Sequence, residues 1–154
     1  MLYLVRHADA EDAPRDAERP LSREGREQAS RLAAFLQGCP CPPPDEIWHS
    51  PLVRTRQTAE IMARGMGWKA PLRVVDGLLP DEPPALVGKT LPASARVAIF
   101  GHNPQISLLA TWLVAGRAPA AGFAFKKCTA LALEPGGRPG GWVARWQIDP
   151  DLLR

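Results

Sequence analysis

Short apolar runs alternate along the chain with longer segments in which apolar residues recur every three or four positions. The runs are typical of buried strands, and the periodic segments are typical of amphipathic helices. Strands are predicted at Leu2–Val5, Glu46–His49, Leu72–Val75, Arg96–Phe100, Thr129–Leu133 and Trp142–Trp146. Helices are predicted from Ser22 to Gly38, from about Pro51 to Arg64 with a stop at Gly65, over Pro84–Leu91, and from Pro104 to Val114 before Gly116.

This alternation predicts an α/β three-layer sandwich, with a mostly parallel central sheet and helices on both faces. The last two strands flank the turn residues Pro135, Gly136 and Gly137, which indicates an antiparallel addition to that sheet. The chain has 154 residues, and we expect residues 1–154 to form a single domain.

Two of the strand-to-helix junctions share one design, Trp48-His49-Ser50-Pro51 and Gly101-His102-Asn103-Pro104. In each, a residue typical of helix N-caps precedes a proline suited to the first helical position. Helix N-termini present free N–H groups and the positive end of the helix dipole, which favour anions. In parallel α/β sheets the ligand crevice lies outside the carboxyl ends of the strands, where both junctions fall.

Basic side chains cluster at the same strand ends. Arg6 and His7 follow the first strand, Arg54 lies in the turn after Ser50, and His102 follows the fourth strand. An arginine fork matches phosphate oxygens, and a histidine can act as nucleophile, acid, base or cationic donor. Taken alone, each of these residues could lie in a solvated loop, on a helix surface or in a satisfied packing position. Their joint occurrence at three strand ends favours a site for a phosphoryl group. His49 is expected to have a rim or packing role.

Four segments, in this order, resemble the signature elements of the histidine phosphatase (phosphoglycerate mutase-like) superfamily. They are Leu4–Ala10, Arg19–Ser22 followed by Gly25, Ser50–Ala59, and Gly101–Pro104. The small size of the chain and its Arg-Pro-Leu-Ser element resemble most the SixA-type phosphohistidine phosphatases. The resemblance implies a phosphoglycerate mutase-like fold and hydrolysis through a covalent phosphohistidine.

The resemblance also implies a role for each matching residue. His7 is expected to be the nucleophile, and Arg6, Arg54 and His102 are expected to hold the phosphoryl oxygens. Arg19 is expected to add to this phosphate-binding set. No cofactor or metal is expected, because the arginines supply the positive charge that phosphoryl transfer requires.

Larger members of the family carry a carboxylic acid on a longer insertion, and here the corresponding segment is short. Candidates for a general acid are Asp81, Glu82, Asp9 and Asp12. Imidazole that leaves from a protonated phosphohistidine has a conjugate-acid pKa of about 6.5, so it needs little help from a general acid. We therefore predict protein phosphohistidine, as in a phosphorelay domain, as the substrate. The alternatives are a small-molecule phosphomonoesterase for sugar or nucleotide phosphates and a non-catalytic phosphate-binding module, which would not need a nucleophile.

Charge and composition argue against nucleic-acid binding, membrane insertion and secretion. The formal net charge is +3 without a Lys/Arg run, which argues against nucleic acid as a partner. No apolar stretch reaches the length of a membrane span, and the start of the chain does not resemble a signal peptide. The three cysteines, Cys39, Cys41 and Cys128, are expected to be free thiols. We expect a cytoplasmic protein that acts on a phosphorylated protein or small molecule, and no particular oligomeric state is favoured.

Overall fold

Six strands form the central sheet of the computed structural model, which describes residues 1–92, 94–118, 120–136 and 140–153. They are β1 (Leu2–Arg6), β2 (Glu46–His49), β3 (Leu72–Val74), β4 (Val97–Gly101), β5 (Ala130–Pro135) and β6 (Trp142–Ile148). Their order in the sheet is β3-β2-β4-β1-β5-β6. Neighbours from β3 to β1 are parallel, whereas β5 runs antiparallel to both β1 and β6. The mostly parallel sheet with a late antiparallel hairpin is thus confirmed.

Helices cover both faces of the sheet, which confirms the three-layer architecture. They are α1 (Arg23–Gln37), α2 (Val53–Met66), α3 (Pro84–Gly88) and α4 (Gln105–Ala115), with short 3-10 turns at Asp16–Glu18 and Pro150–Leu153. Successive residues of a strand point to opposite faces. Tyr3 and Val5 of β1 accordingly join the core beneath α1 and α2, whereas Leu2 and Leu4 join the core beneath α3 and α4. No helix in the described ranges is long and apolar enough to cross a membrane.

A serine cap begins α1, and a left-handed glycine ends α2 on the same face of the sheet. Ser22 caps α1, and its hydroxyl accepts a hydrogen bond from the amide of Gly25 at 3.0 Å. The prediction that α2 stops at Gly65 was wrong, because Gly67 takes the left-handed conformation that ends this helix, with φ of 67°. Gly65 instead lies against α1, where a Cβ would come within 2.6 Å of the Cβ of Ala33.

The prolines do not occupy the first helical positions that the sequence predicted. The residue preceding α2 is Leu52, and the residue preceding α4 is Pro104. Ser50 lies outside α2, and Asn103 uses its side chain to bind the carbonyl of Phe125 at 2.8 Å. Both polar side chains thus combine a long-range contact with a local one: Ser50 accepts from the amide of Leu52 at 3.3 Å, and Asn103 accepts from the hydroxyl of Ser107 at 2.9 Å. Two further predicted ends differ from the structure: α3 ends at Gly88 and not at Leu91, and β3 ends at Val74 and not at Val75. Gly137 of the predicted turn lies outside the described residues.

The first turn of α1 packs directly against the loop that follows β1. The carbonyl of Asp9 accepts a hydrogen bond from the amide of Ser22 at 3.1 Å. A Cβ on Gly25 would lie 2.0 Å from that same carbonyl oxygen, so only glycine permits this approach. The position of the loop after β1 therefore depends on Gly25.

We predict that Gly25→Ala lowers the free energy of unfolding by about 1–3 kcal/mol, because the backbone of Asp9 must move away from the new methyl group. Gly38→Ala, at the other end of the same helix, is the matched control, since its nearest atom would lie 3.5 Å away. Urea denaturation of both variants measures the difference. Equal stability of the two variants would refute the proposed close contact.

Candidate active site

The parallel pairing of β1 with β4 brings two histidines to one edge of the sheet. Arg6 is paired with Gly101, and the amide of His7 donates to the carbonyl of Gly101 at 2.9 Å. His7 and His102 therefore follow neighbouring strands, and their ring centroids lie 5.0 Å apart. β2 ends beside β4, so Ser50 emerges at the same edge.

His7 is held with one ring nitrogen engaged and the other free to react. It is 8% exposed, and Nδ1 lies 2.7 Å from the carbonyl oxygen of Ala8. Because a carbonyl only accepts hydrogen bonds, Nδ1 carries the proton and Nε2 keeps its lone pair. Burial lowers the pKa of His7 to about 4, and the positive charges of Arg54, Arg6 and Lys127 act in the same direction, against the opposing bond to Ala8. The ring is therefore neutral at pH 7.

Two arginines flank this histidine, and each is fixed by a backbone carbonyl. Arg6 Nη1 donates to the carbonyl of Phe125 at 2.8 Å, and burial lowers the pKa of Arg6. Arg54 is 5% exposed, and its Nη1 donates to the carbonyl of Asp16 at 2.8 Å. A guanidinium stays charged in proteins, so both residues place positive charge beside His7.

His102 is almost fully buried, at 1% exposure, and its Nε2 lies 2.7 Å from the hydroxyl of Ser50. Burial lowers the pKa of His102 to about 3, with contributions from His7, Arg54 and Arg6 and an opposing one from Asp16. The neutral form therefore prevails in the free protein.

Three ring or guanidinium nitrogens of this cluster have no hydrogen-bond partner among the described residues. They are Arg6 Nε, Arg54 Nε and His102 Nδ1, all of them buried. An unmade hydrogen bond at a buried polar atom costs about 1–3 kcal/mol. Such nitrogens, surrounded by fixed positive charge, are suited to a small multivalent anion such as a phosphoryl group.

Asp16 links the site to the charged loop after β1. Its carboxylate accepts from Arg54 Nη2 at 3.1 Å and from Arg19 Nη1 at 3.3 Å. Although its burial acts to raise the pKa of Asp16, the hydrogen bonds and charges of the two arginines outweigh it and lower that pKa. The ionised carboxylate thus orients Arg54 and offsets part of the positive charge.

Arg19 reaches this cluster through Asp16. Its other bonds go to the carbonyl of Glu11 at 2.9 Å and to the carboxylate of Asp12 at 3.4 Å. The structure therefore brings Arg6, His7, Arg54 and His102 together and sets Arg19 behind Asp16. A direct phosphate-binding role for Arg19 stays a prediction.

The four candidate acids differ in their surroundings. Asp9 accepts from Lys127 and from the hydroxyl of Ser22, and these hydrogen bonds lower its pKa, so it is ionised. Glu82 accepts from the backbone amide of Leu79 at 2.8 Å within its own loop. Asp12 and Asp81 are exposed. In this structure Asp9 is a poor proton donor and Glu82 is engaged in the fold of its loop.

Sequence reasoning missed four contributors to the site. They are Asp16, Ser50 in its role beside His102, the carbonyl of Phe125, and Lys127. Asp16 looked like one more solvated charge, and Ser50 looked like a helix cap. Phe125 and Lys127 lie 119 and 118 residues from their partners Arg6 and Asp9, a separation that no local pattern reveals. In the described part of the chain no group of three His, Cys, Asp or Glu side chains could hold a metal ion.

A family model agrees with what the fold and this cluster indicate. The model of the histidine phosphatase superfamily (branch 1) matches residues 2–79, which include His7 and Arg54. The chain therefore belongs to the histidine phosphatase superfamily, and the predicted family, fold class and enzyme class, a phosphatase, are confirmed.

One curated protein and two solved structures are similar to nearly the whole of this chain. The phosphohistidine phosphatase SixA of Escherichia coli (strain K12) is 26% identical, over 99% of this chain and 96% of that protein. A structure of the protein histidine phosphatase SixA complexed with tungstate superposes with a TM-score of 0.87, at 26% identity, and covers 99% of both chains. The structure described as a putative SixA from Nakamurella multipartitia has a TM-score of 0.76 and 28% identity, and the match covers 97% of this chain and 95% of that one. The similarity thus covers at least 95% of each of these relatives.

We predict that His7 and His102 remain neutral at pH 5. A proton NMR titration of the ring signals measures this directly, because the sequence holds only 3 histidines. The physical reason is that burial and neighbouring cations disfavour both imidazolium ions. A midpoint near the ordinary value of 6.5 for either ring would contradict it.

The same lowered pKa values predict how stability depends on pH. Below pH 6.5 the unfolded chain takes up protons that the folded histidines refuse until about pH 4 or 3. The free energy of unfolding therefore falls as the pH drops through that window. The fall should be smaller in His7→Asn than in the unaltered protein, and an equal fall would contradict the assignment.

Proposed function

We propose that this protein hydrolyses phosphohistidine on other proteins through a covalent phosphohistidine at Nε2 of His7. One observation carries the proposal: His7 has its Nδ1 committed to Ala8 and its Nε2 unprotonated, with the buried Arg54 and the half-buried Arg6 beside it. The set resembles the oxyanion clamps with which proteins stabilise a transferring phosphoryl group. The similarity to SixA proteins along the full chain supports the same conclusion.

The first step needs no proton transfer at His7. The lone pair of Nε2 attacks the phosphorus of a phosphohistidine that is protonated on its other ring nitrogen. The bond from phosphorus to the substrate ring breaks, and its electron pair leaves with that ring as neutral imidazole. The phosphorylated ring is a cation whose Nδ1–H still donates to Ala8, so the bond at 2.7 Å serves both states. Arg6 and Arg54 offset the negative charge of the phosphoryl oxygens throughout.

The second step returns His7 to its starting state. A water oxygen attacks phosphorus, the bond to Nε2 breaks, and the electron pair of that bond goes back to the neutral ring. One proton of the water stays on the phosphate that forms, and the other passes to solvent. The cycle is complete without a cofactor.

The surroundings of the carboxylates favour phosphohistidine over phosphate esters. An ester releases an alkoxide, which requires a proton donor, whereas imidazole leaves readily from a protonated phosphohistidine. Asp9 is ionised between Lys127 and Ser22, and Glu82 is bonded to Leu79. Neither Asp9 nor Glu82 is therefore a ready acid, which favours the better leaving group.

We further propose that the protein acts in the cytoplasm, as a single domain over residues 1–154, with a phosphorylated protein as its partner. The cysteines support the compartment, because Cys39, Cys41 and Cys128 are free thiols, as is usual where disulfides are kept reduced.

We predict that His7→Asn abolishes both turnover and incorporation of radioactive phosphate, because the attacking nitrogen is gone. His49→Asn is the matched control, since His49 is also buried at a strand end and its Nδ1 bonds the carbonyl of Ser50 at 2.8 Å. Rapid-quench labelling with a phosphohistidine-bearing phosphorelay domain measures the incorporation. Labelled His7→Asn protein would overturn the mechanism.

The substrate is tested by comparing kcat/KM for that phosphorelay domain with kcat/KM for a panel of sugar and nucleotide phosphates. We expect the phosphohistidine protein to be the best substrate. Faster hydrolysis of the esters would assign a small-molecule phosphomonoesterase instead, and binding without any turnover would assign a phosphate-binding module.

We predict that Arg54→Lys lowers kcat/KM about 100-fold, which corresponds to about 3 kcal/mol of transition-state stabilisation. A lysine ammonium lacks the planar fork that can serve Asp16 and a phosphoryl oxygen together. Arg56→Lys, two residues away, is the control, because Arg56 is exposed and pairs with Glu60 at 3.1 Å. Similar activity in the two variants would exclude the clamp role of Arg54.

A further inference from the structure

We infer that the Ser50 hydroxyl, itself held by Thr55, is a positioning group that decides which ring nitrogen of His102 carries the proton. The relevant side chains are deeply buried, with exposures of 0% for Ser50 and Thr55 and 1% for His102. The assignment of protons follows from the hydrogen bonds alone, and only its kinetic consequence rests on the proposed function.

Thr55 is the fixed end of this hydrogen-bond chain. Its Oγ1 lies 2.8 Å from the carbonyl oxygen of Leu52 and 3.1 Å from the carbonyl oxygen of Ser50. Carbonyl oxygens only accept, so the single hydroxyl proton of Thr55 is directed to them. Towards any other hydroxyl, Thr55 can therefore act only as an acceptor.

Ser50 comes next in the chain. Its Oγ lies 2.7 Å from Oγ1 of Thr55, and it also accepts from the amide of Leu52 at 3.3 Å. Because Thr55 has no proton left to offer, the contact between the two hydroxyls uses the proton of Ser50. Ser50 in turn has only a lone pair left for His102.

His102 must therefore donate to Ser50. Its Nε2 lies 2.7 Å from Oγ of Ser50, so Nε2 carries the proton of the neutral ring. Nδ1 is then the unprotonated nitrogen, and it is also the one without a partner among the described residues. A proton added on anion binding would go to Nδ1, which becomes a charged donor for a phosphoryl oxygen.

The other two histidines are held in the opposite tautomer. Nδ1 of His7 and Nδ1 of His49 each bond a backbone carbonyl, those of Ala8 and Ser50. Both rings therefore carry the proton on Nδ1, which leaves Nε2 of His7 free for attack. Among the three histidines of the chain, His102 alone should carry it on Nε2.

The charges around His102 are consistent with proton uptake when an anion binds. His7, Arg54 and Arg6 face it and favour the neutral ring, whereas Asp16 favours the charged one. A phosphoryl dianion adds negative charge at the same place, which shifts the balance towards the cation.

Nitrogen-15 NMR of the ring nitrogens tests the assignment, with His→Asn variants to identify each signal. We expect the free protein at pH 7 to show protonated Nδ1 for His7 and His49 and protonated Nε2 for His102. With vanadate bound, both nitrogens of His102 should be protonated. A proton on Nδ1 of His102 in the free protein would overturn the inference.

Two substitutions test the origin of this preference. Thr55→Val frees the proton of Ser50 to turn towards Nε2, so we expect His102 to shift to the tautomer with the proton on Nδ1. Thr55→Ser retains the hydroxyl and should restore the original state. Thr111→Val is the matched control, because Thr111 also bonds a backbone carbonyl one turn earlier, at 2.9 Å, on another helix. An unchanged tautomer in Thr55→Val, or the same shift in Thr111→Val, would contradict the inference.

Kinetics then separates this inference from the proposed function. We expect Thr55→Val and Ser50→Ala to lower kcat for the phosphohistidine substrate by roughly 10- to 100-fold, the size of effect that loss of an outer partner has at metal-binding histidines, with KM within a few-fold of its original value. Turnover that is normal in a protein whose tautomer has shifted would refute the positioning role. If the unaltered protein lacks turnover, the proposed function fails, and the NMR result still decides the tautomer.

Discussion

The parallel pairing of β1 with β4 is the constraint on which the rest of the site depends. Both strands are buried between two hydrophobic cores, and the register that places Arg6 opposite Gly101 also places His7 beside His102. Because a shift of one residue would turn every side chain of β1 to the opposite face, the packing of both cores fixes that register. The ring of His7 thus follows a strand that is buried between both cores, which suits the fixed geometry that a catalytic site needs.

Burial at this edge of the sheet determines the protonation and charge of the site. Both histidines stay neutral because water is excluded and because Arg6 and Arg54 are close. Fixed hydrogen bonds keep the arginines in place, through the carbonyl of Phe125 and through Asp16. The result is a neutral histidine, the proposed nucleophile, within a positive environment.

Much of this could be predicted from the sequence, because apolar periodicity and helix ends are local properties. β1, β2 and β4 follow from short apolar runs, and four of the predicted site residues lie directly after such runs or in the next turn. The predicted starts of α2 and α4 were wrong, and there Ser50 and Asn103 divide their hydrogen bonds between local groups and His102 and Phe125, which are distant in sequence. A local sequence pattern considers only residues close in the chain, so it cannot detect bonds to distant partners. The roles of Asp16 and Lys127 could be found only in the structure for the same reason.

The most direct test of His7 as the nucleophile is a crystal structure of the protein with tungstate, an anion that mimics a transferring phosphoryl group. We expect tungsten next to Nε2 of His7, with oxygens that accept from Arg6, Arg54 and Nδ1 of His102, while Nδ1 of His7 still donates to the carbonyl of Ala8. Tungstate bound away from His7, or attached to its Nδ1, would contradict the assignment of His7 as the nucleophile.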